Sequence, residues 1–183
     1  EKMFVNTSLV FSDFDYGFDI KFAENASFGL DQSINDIYIK SDWTNYVSPK
    51  SKLNSLGQVT YHRFNPGLFA ANNEDSRQIF EDTQLEKKKA LENGLYLDHE
   101  YTHNKRLNMR YGMRLSTFSN IGGTEYTYIK NAETNEPIPS LTSADSFTNG
   151  EFYNTYVGLE PRASISYNLA STLALKASYN RTF

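Results

Sequence analysis

The stretch Val157-Gly158-Leu159-Glu160-Pro161-Arg162-Ala163-Ser164-Ile165-Ser166-Tyr167-Asn168-Leu169 decides the fold. Val157, Leu159, Pro161, Ala163, Ile165, Tyr167 and Leu169 alternate with Gly158, Glu160, Arg162, Ser164, Ser166 and Asn168. Successive side chains leave opposite faces of a β-strand, so this spacing predicts a strand with one apolar and one polar face. A water-soluble sheet meets that description as well as a membrane one.

Working outward, Leu173, Leu175, Ala177 and Tyr179 oppose Lys176, Ser178 and Asn180. Upstream, Leu107, Met109, Tyr111, Met113 and Leu115 oppose Asn108, Arg110, Gly112, Arg114 and Ser116. Earlier segments follow the rule with more noise. Ile37, Ile39, Trp43 and Val47 oppose Lys40, Asp42 and Thr44; Val59 and Tyr61 oppose Gln58, Thr60 and His62; Leu95 and Leu97 oppose Asp98 and Glu100. In the first segment the apolar set Met3, Val5, Leu9, Phe11 slips phase to Phe14, Tyr16, Phe18, Ile20, Phe22, which predicts a bulge near Ser12 or a strand leaving a bilayer. About seven strands result, several of them as long as the roughly 9 to 11 residues that cross a bilayer.

Connection lengths alternate. Short turns are predicted at Ser48 to Ser51, Thr102 to Arg106 and Asn168 to Thr172, and long polar loops at 23–33, 65–91 and 122–150. Short turns at one end and long loops at the other is the arrangement of outer-membrane barrels, whose long loops are extracellular. Within the first of the two longest loops, the Lys-rich run of Glu81 to Asn93 suggests a short helix with a solvated face. Glu136-Pro137-Ile138-Pro139 enforces extended backbone in the second.

Composition agrees with an exterior that is apolar and an interior that is wet. The 183 residues include 13 Tyr, 13 Phe and one Trp, yet the mean hydropathy is −0.59. A net charge of −4 and the lack of a basic stripe among the aromatics argue against nucleic-acid binding. Cys is absent, which excludes disulfides, thiolate metal sites and a Cys nucleophile. No apolar run approaches the roughly 18 residues of a membrane-spanning helix, so any span would be made of strands.

The sharpest enzyme-like string is His99-Glu100-Tyr101-Thr102-His103, a match to the H-E-x-x-H pattern of zinc metalloproteases. That chemistry needs a helix, where residues four apart share a face. On the strand expected here the two imidazoles would sit about 13 Å apart. The only other histidine, His62, falls in a different strand, so a chance match is the favoured reading. Asp98, Glu100, Arg110, Arg114, Glu160, Arg162 and Lys176 fall on polar faces and predict a cross-strand ladder of opposite charges rather than a ligand path. Phe11, Tyr46, Tyr61, Tyr101 and Tyr167, near strand ends, predict an interfacial girdle ahead of a sugar-stacking role. Asn6-Thr7-Ser8, Asn25-Ala26-Ser27 and Asn180-Arg181-Thr182 match glycosylation acceptors, relevant only in a eukaryotic secretory chain.

Gly158-Leu159-Glu160-Pro161-Arg162 with the run to Tyr167, Leu175-Lys176-Ala177-Ser178-Tyr179-Asn180-Arg181-Thr182-Phe183, Arg110-Tyr111-Gly112-Met113-Arg114-Leu115-Ser116 and Tyr61-His62-Arg63-Phe64-Asn65-Pro66-Gly67 together resemble the barrel of TonB-dependent receptors that carry a carboxypeptidase-regulatory-like N-terminal domain. The resemblance implies an all-β fold, an antiparallel up-and-down transmembrane β-barrel in which residues 1–183 form part of one barrel domain of about 22 strands. It further implies location in the bacterial cell outer membrane and TonB-driven uptake of a nutrient. The implied partners are outer-membrane lipid, a plug domain, TonB and an unidentified nutrient ligand. The plug is absent from the sequence and both ends look cut, so a fragment is expected; a complete small outer-membrane barrel with a structural or adhesion role is the alternative. The resemblance transfers no catalytic, cofactor, metal or ligand-binding residue, and no enzyme activity or cofactor is expected.

Overall fold

A computed structural model describes residues 2–23, 26–78 and 81–183. The alternating segments fold as strands β1 (Met3–Ala23), β2 (Ala26–Ser48), β3 (Ser51–Ala71), β4 (Thr83–Gln84), β5 (Lys88–Thr102), β6 (Leu107–Lys130), β7 (Pro137–Ala170) and β8 (Leu173–Asn180), with one helix, α1 (Glu74–Arg77). All pairs are antiparallel, in the order β1-β2-β3-β5-β6-β7-β8, and β4 adds two residues to β3 at Leu68 and Phe69. The seven main strands match the sequence count, and each is joined to its neighbour in the chain.

Closure is where the structure departs from expectation. Among the described residues β1 pairs only β2 and β8 pairs only β7, so the sheet is open and has two edges. This corrects the expected transmembrane β-barrel segment to an open antiparallel meander. A closed ladder would pair β1 with β8, and that pairing is not formed among the described residues. The expected outer-membrane placement, the receptor and transporter role and the alternative small adhesion barrel are corrected with it. No helix among the described residues is long and apolar enough to cross a membrane.

Several predicted loops are strand instead. Residues 26–33 belong to β2, 65–71 to β3 and 88–91 to β5, while most of 122–150 extends β6 and β7 into a long hairpin around a turn at 131–136. The helix expected within Glu81 to Asn93 is not formed: Lys88 to Asn93 pair with Phe64 to Val59. The described helix is α1, where Asn73 caps the first turn by accepting from the Ser76 amide at 2.8 Å and its hydroxyl at 2.7 Å. Ser76 in turn accepts from the Ser27 amide at 2.8 Å, which ties the helix to the start of β2.

The phase slip in β1 is no bulge. Register runs unbroken through Phe11↔Ile37, Ser12↔Asp36 and Asp13↔Asn35, so the apolar set changes face while the backbone does not. Phe14 and Phe18 then oppose Ile34 and Leu30, and Phe28 and Phe69 bring their rings to 4.3 Å. The side chain of Phe22 lies outside the described residues. A real irregularity sits in β3, where Asp31↔Leu68 and Ser33↔Asn65 leave Pro66 and Gly67 facing the single residue Gln32, one extra residue on β3. Gly67 adopts φ 97°, and a Cβ there would meet the Asp31 carbonyl oxygen at 1.9 Å.

Burial is inverted relative to an ordinary globule. The buried groups include Asp98, Glu160, Thr60, Ser119 and Ser76, and among the described residues the buried apolar ones are alanines, while Leu9, Leu95, Leu159 and Leu175 are exposed. The core of this sheet is its hydrogen-bonded polar face.

Candidate functional site

The two faces carry different chemistry. On the polar face, β3, β5, β6 and β7 bring Asn54, Tyr96, Asp98, Arg110, Arg114, Glu160 and Arg162 together. Asp98, 2% exposed, accepts from Asn54 Nδ2 at 2.7 Å, from the Tyr96 hydroxyl at 2.8 Å and from Arg110. Glu100 is held by Lys52 at 2.8 Å and by Asn54 at 3.0 Å. One row further on, Ser116 donates to Glu160 at 2.7 Å, Arg114 donates to Ser116 at 3.0 Å, and Arg162 reaches Glu160 at 3.0 Å.

These contacts set the protonation states. The Ser116 hydrogen bond, followed by Arg162 and Arg114, holds the Glu160 carboxyl below the usual range. Burial, then the hydrogen bond to Asp98, pushes the Tyr96 phenol up. The hydrogen bond to Asp98 raises Arg110 further. The charge ladder expected of Asp98, Glu100, Arg110, Arg114, Glu160 and Arg162 is therefore formed, with Arg162 Nε left buried and without a hydrogen-bond partner among the described residues. Lys176 stands apart on β8, opposite Ser166.

On the opposite face, an apolar belt crosses all seven main strands. Its rows follow from register: Trp43, Ser55, Leu97, Met113 and Pro161 are successive partners, as are Ser41, Gly57, Leu95, Leu115 and Leu159. Ser41, Ser55 and Gly57 are the small members, two of them on β3, which forms the floor of a groove of about 1100 Å³ whose walls include Trp43, Leu95 and Leu97. The Trp43 indole N–H donates to Ser41 Oγ at 2.7 Å, which fixes the ring on the wall.

One end of the groove is polar. His99 bonds Ser51 Oγ through Nε2 at 2.7 Å and the Tyr111 hydroxyl through Nδ1 at 2.7 Å. The order Ser, His, Tyr is that of a nucleophile, a base and an orienting group. Acyl transfer also needs converging N–H donors for an oxyanion, whereas the strand amides around Ser51 and His99 are committed to the β2–β3, β3–β5 and β5–β6 ladders.

The H-E-x-x-H string lies in strand and turn, as expected. His99 points to the apolar face, Glu100 to the polar face, and His103 follows the end of β5. His62 sits on the polar face of β3 with Asp36 at 2.9 Å and Glu92 at 3.7 Å. Among the described residues no three His, Asp or Glu side chains converge on a metal position. Sequence reasoning missed Ser51, Tyr111 and the groove floor. The signal was available: Ser51, Ser55 and Gly57, with Leu53 between the first two, are small residues on one face of a strand whose neighbours are apolar there, which marks a trough.

No protein-family model, curated protein or solved structure matches the chain, and the resemblance to TonB-dependent receptors is accordingly withdrawn.

Proposed function

We propose that the chain is a non-catalytic binding module whose working surface is the apolar sheet face, and that its ligands are lipid-like amphiphiles. The observation that supports this is the exposed belt itself: Leu9 is 74% exposed, Leu95 61% and Leu175 63%, although they lie in three different strands. A contiguous apolar surface larger than a few hundred Å² marks a binding site on a folded protein. Seven strands at about 4.8 Å spacing make the belt roughly 30 Å wide, well beyond that threshold.

The polar face supports the same reading from the other side. Most of its charges are paired with one another, so it serves as the framework that holds the belt's strands together. Nucleic acid is not among the proposed ligands, because the acidic balance supplies no phosphate-tracking stripe. The plug domain, TonB and the nutrient were implied by the withdrawn resemblance alone and form no part of the proposal.

The test is binding of an environment-sensitive apolar dye to the folded chain and to Leu95→Lys/Leu159→Lys. The expected result is strong dye emission with the parent and a loss of at least tenfold in the variant, with unchanged far-UV circular dichroism. Equal emission from both would sink the proposal.

A further inference from the structure

Resting on that reading, we infer that the groove along β3 takes one single-chain amphiphile with an anionic head, a free long-chain carboxylate, with its tail over Ser55 and Gly57 and its head at Ser51, His99 and Tyr111. Three independent features converge on this chemistry.

The first is shape. The groove floor carries Ser51, Leu53, Ser55 and Gly57 along β3 and is bounded by Trp43, Leu95 and Leu97, and its volume of about 1100 Å³ is just above that of ordinary ligand sites. From Ser51 to Gly57 the floor runs six residues, about 20 Å at strand rise, the proportions of an extended alkyl chain. Among the described residues no charged side chain projects from that face within the trough: Lys52, Asp98, Glu100 and Arg162 all project from the other side and pair there.

The second is the proton count at the polar end. A neutral imidazole has one N–H and one lone pair. Placed between two hydroxyls, His99 accepts a proton from one and donates to the other. The hydroxyl that accepts keeps its own proton for an outside acceptor. If Nδ1 carries the hydrogen, Tyr111 has the spare donor; if Nε2 carries it, Ser51 does. Protonation of the ring frees both. In every state the cluster presents at least one O–H donor and seeks an acceptor, as a carboxylate provides.

The third is charge. The groove opens toward the short-turn end of the sheet, where Lys50, His103, Lys105 and Arg106 stand at the β2–β3 and β5–β6 turns and residues 48–51 and 103–106 contain no Asp or Glu. The turns are held against the strands beside them: Thr102 donates to the Lys50 carbonyl at 2.8 Å and Asn168 to that of Arg106 at 2.8 Å. A chain with a net charge of −4 thus presents a local cationic rim at the polar end of its apolar groove.

Trp43 is the only tryptophan and stands on the wall, so its fluorescence reports occupancy directly. The experiment titrates the whole chain with stearate brominated on its tail, below micelle formation, with stearyl alcohol brominated at the same carbons and phosphatidylcholine vesicles carrying brominated chains as comparison arms. Saturable quenching by the carboxylate is expected, at least tenfold tighter than by the alcohol. Lys50→Glu/Lys105→Glu, exposed turn substitutions that leave the strands intact, should weaken the carboxylate about tenfold and leave the alcohol unchanged. Gly57→Leu, which fills the floor, should weaken both. Equal binding of acid and alcohol, or quenching by vesicles without quenching by free carboxylate, overturns the inference. Dye binding to the belt with no quenching of Trp43 by either probe overturns it while leaving the apolar working surface in place; failure of both removes the two together.

Discussion

The Arg162 guanidinium lies over the ring of Tyr96, 5.8 Å from its centroid, across the strand position held by Gly112. The two residues belong to β7 and β5, which are not neighbours. They meet because the intervening residue has no side chain, and the ring and the guanidinium fill the space above it. Gly112 also lets Asp98 be buried: a Cβ there would sit 2.4 Å from the Asp98 Cβ and 2.6 Å from the Leu97 carbonyl oxygen.

Replacing Gly112 by Ala is therefore expected to destabilise the sheet by about 1 to 3 kcal/mol, the range for overpacking a fitted site. Urea unfolding measures it. A variant as stable as the parent would show that the polar face has slack at its centre.

Asp98→Asn removes the charge that faces Tyr96 and Arg110. The Tyr96 phenol is expected to titrate lower than in the parent yet still above its ordinary value, because burial is the larger cause of its rise. A folded-state value above the unfolded one contributes stability that is present below about pH 10 and lost as pH rises through the folded pKa. The variant should show a smaller alkaline loss of stability than the parent. Carbon-13 tyrosine resonances followed against pH provide the check, and a Tyr96 signal that does not move would contradict the assignment.

Ser116→Ala withdraws the first cause of the low Glu160 pKa. The sign here is the reverse. A depressed carboxyl contributes stability above its ordinary value near 4.3, and that contribution disappears as pH falls through the folded value. The substitution should cost about 1 kcal/mol at neutral pH and less once Glu160 is protonated in both proteins, when the loss of the Arg114 to Ser116 hydrogen bond is what remains. Unfolding curves at the two pH values separate this from a packing defect, which would cost the same at both.

Gly67 and Gly57 make a paired test on one strand. Gly67→Ala places a side chain at φ 97° against the Asp31 carbonyl and should cost at least about 2 kcal/mol. Gly57→Ala meets only the Leu95 Cδ2 at 3.8 Å and should be neutral or slightly stabilising. Comparable losses at both positions, seen by thermal unfolding, would place the β3 irregularity elsewhere.

Much of this fold was legible because alternation is a local signal. Leu159 and Glu160 were assigned to opposite faces from spacing alone, and the structure places them so. The charge ladder was legible for the same reason, since Glu160 and Arg162 share a face with Arg110 and Arg114 once the hairpin between β6 and β7 is drawn. Closure was not legible. Whether Met3–Ala23 pairs with Leu173–Asn180 depends on the curvature accumulated over five intervening strands, and no residue within either edge encodes it. Polar strands were misread as loops because Thr124 to Lys130 have partners on β7 but no one-sided apolar set to betray them. The Lys88 to Asn93 segment was misread as helix because three consecutive lysines mask the alternation of Ala90, Glu92 and Gly94 with Leu91, Asn93 and Leu95. The groove was overlooked because Ser55 and Gly57 mark its floor by their lack of bulk, and pattern reading follows the large residues.

The open edge of β1 has a consequence for how the chain behaves in concentrated solution. Its second half carries Asp13, Asp15, Asp19 and Lys21, charges that repel an incoming strand. Its first half, Met3-Phe4-Val5-Asn6-Thr7-Ser8-Leu9-Val10-Phe11-Ser12, carries none, and it combines β-branched and aromatic residues without a proline. Self-association is therefore expected to nucleate beside Met3 to Ser12, and a single lysine placed at Val5 or Leu9 is expected to act as a gatekeeper, which light scattering at high concentration checks.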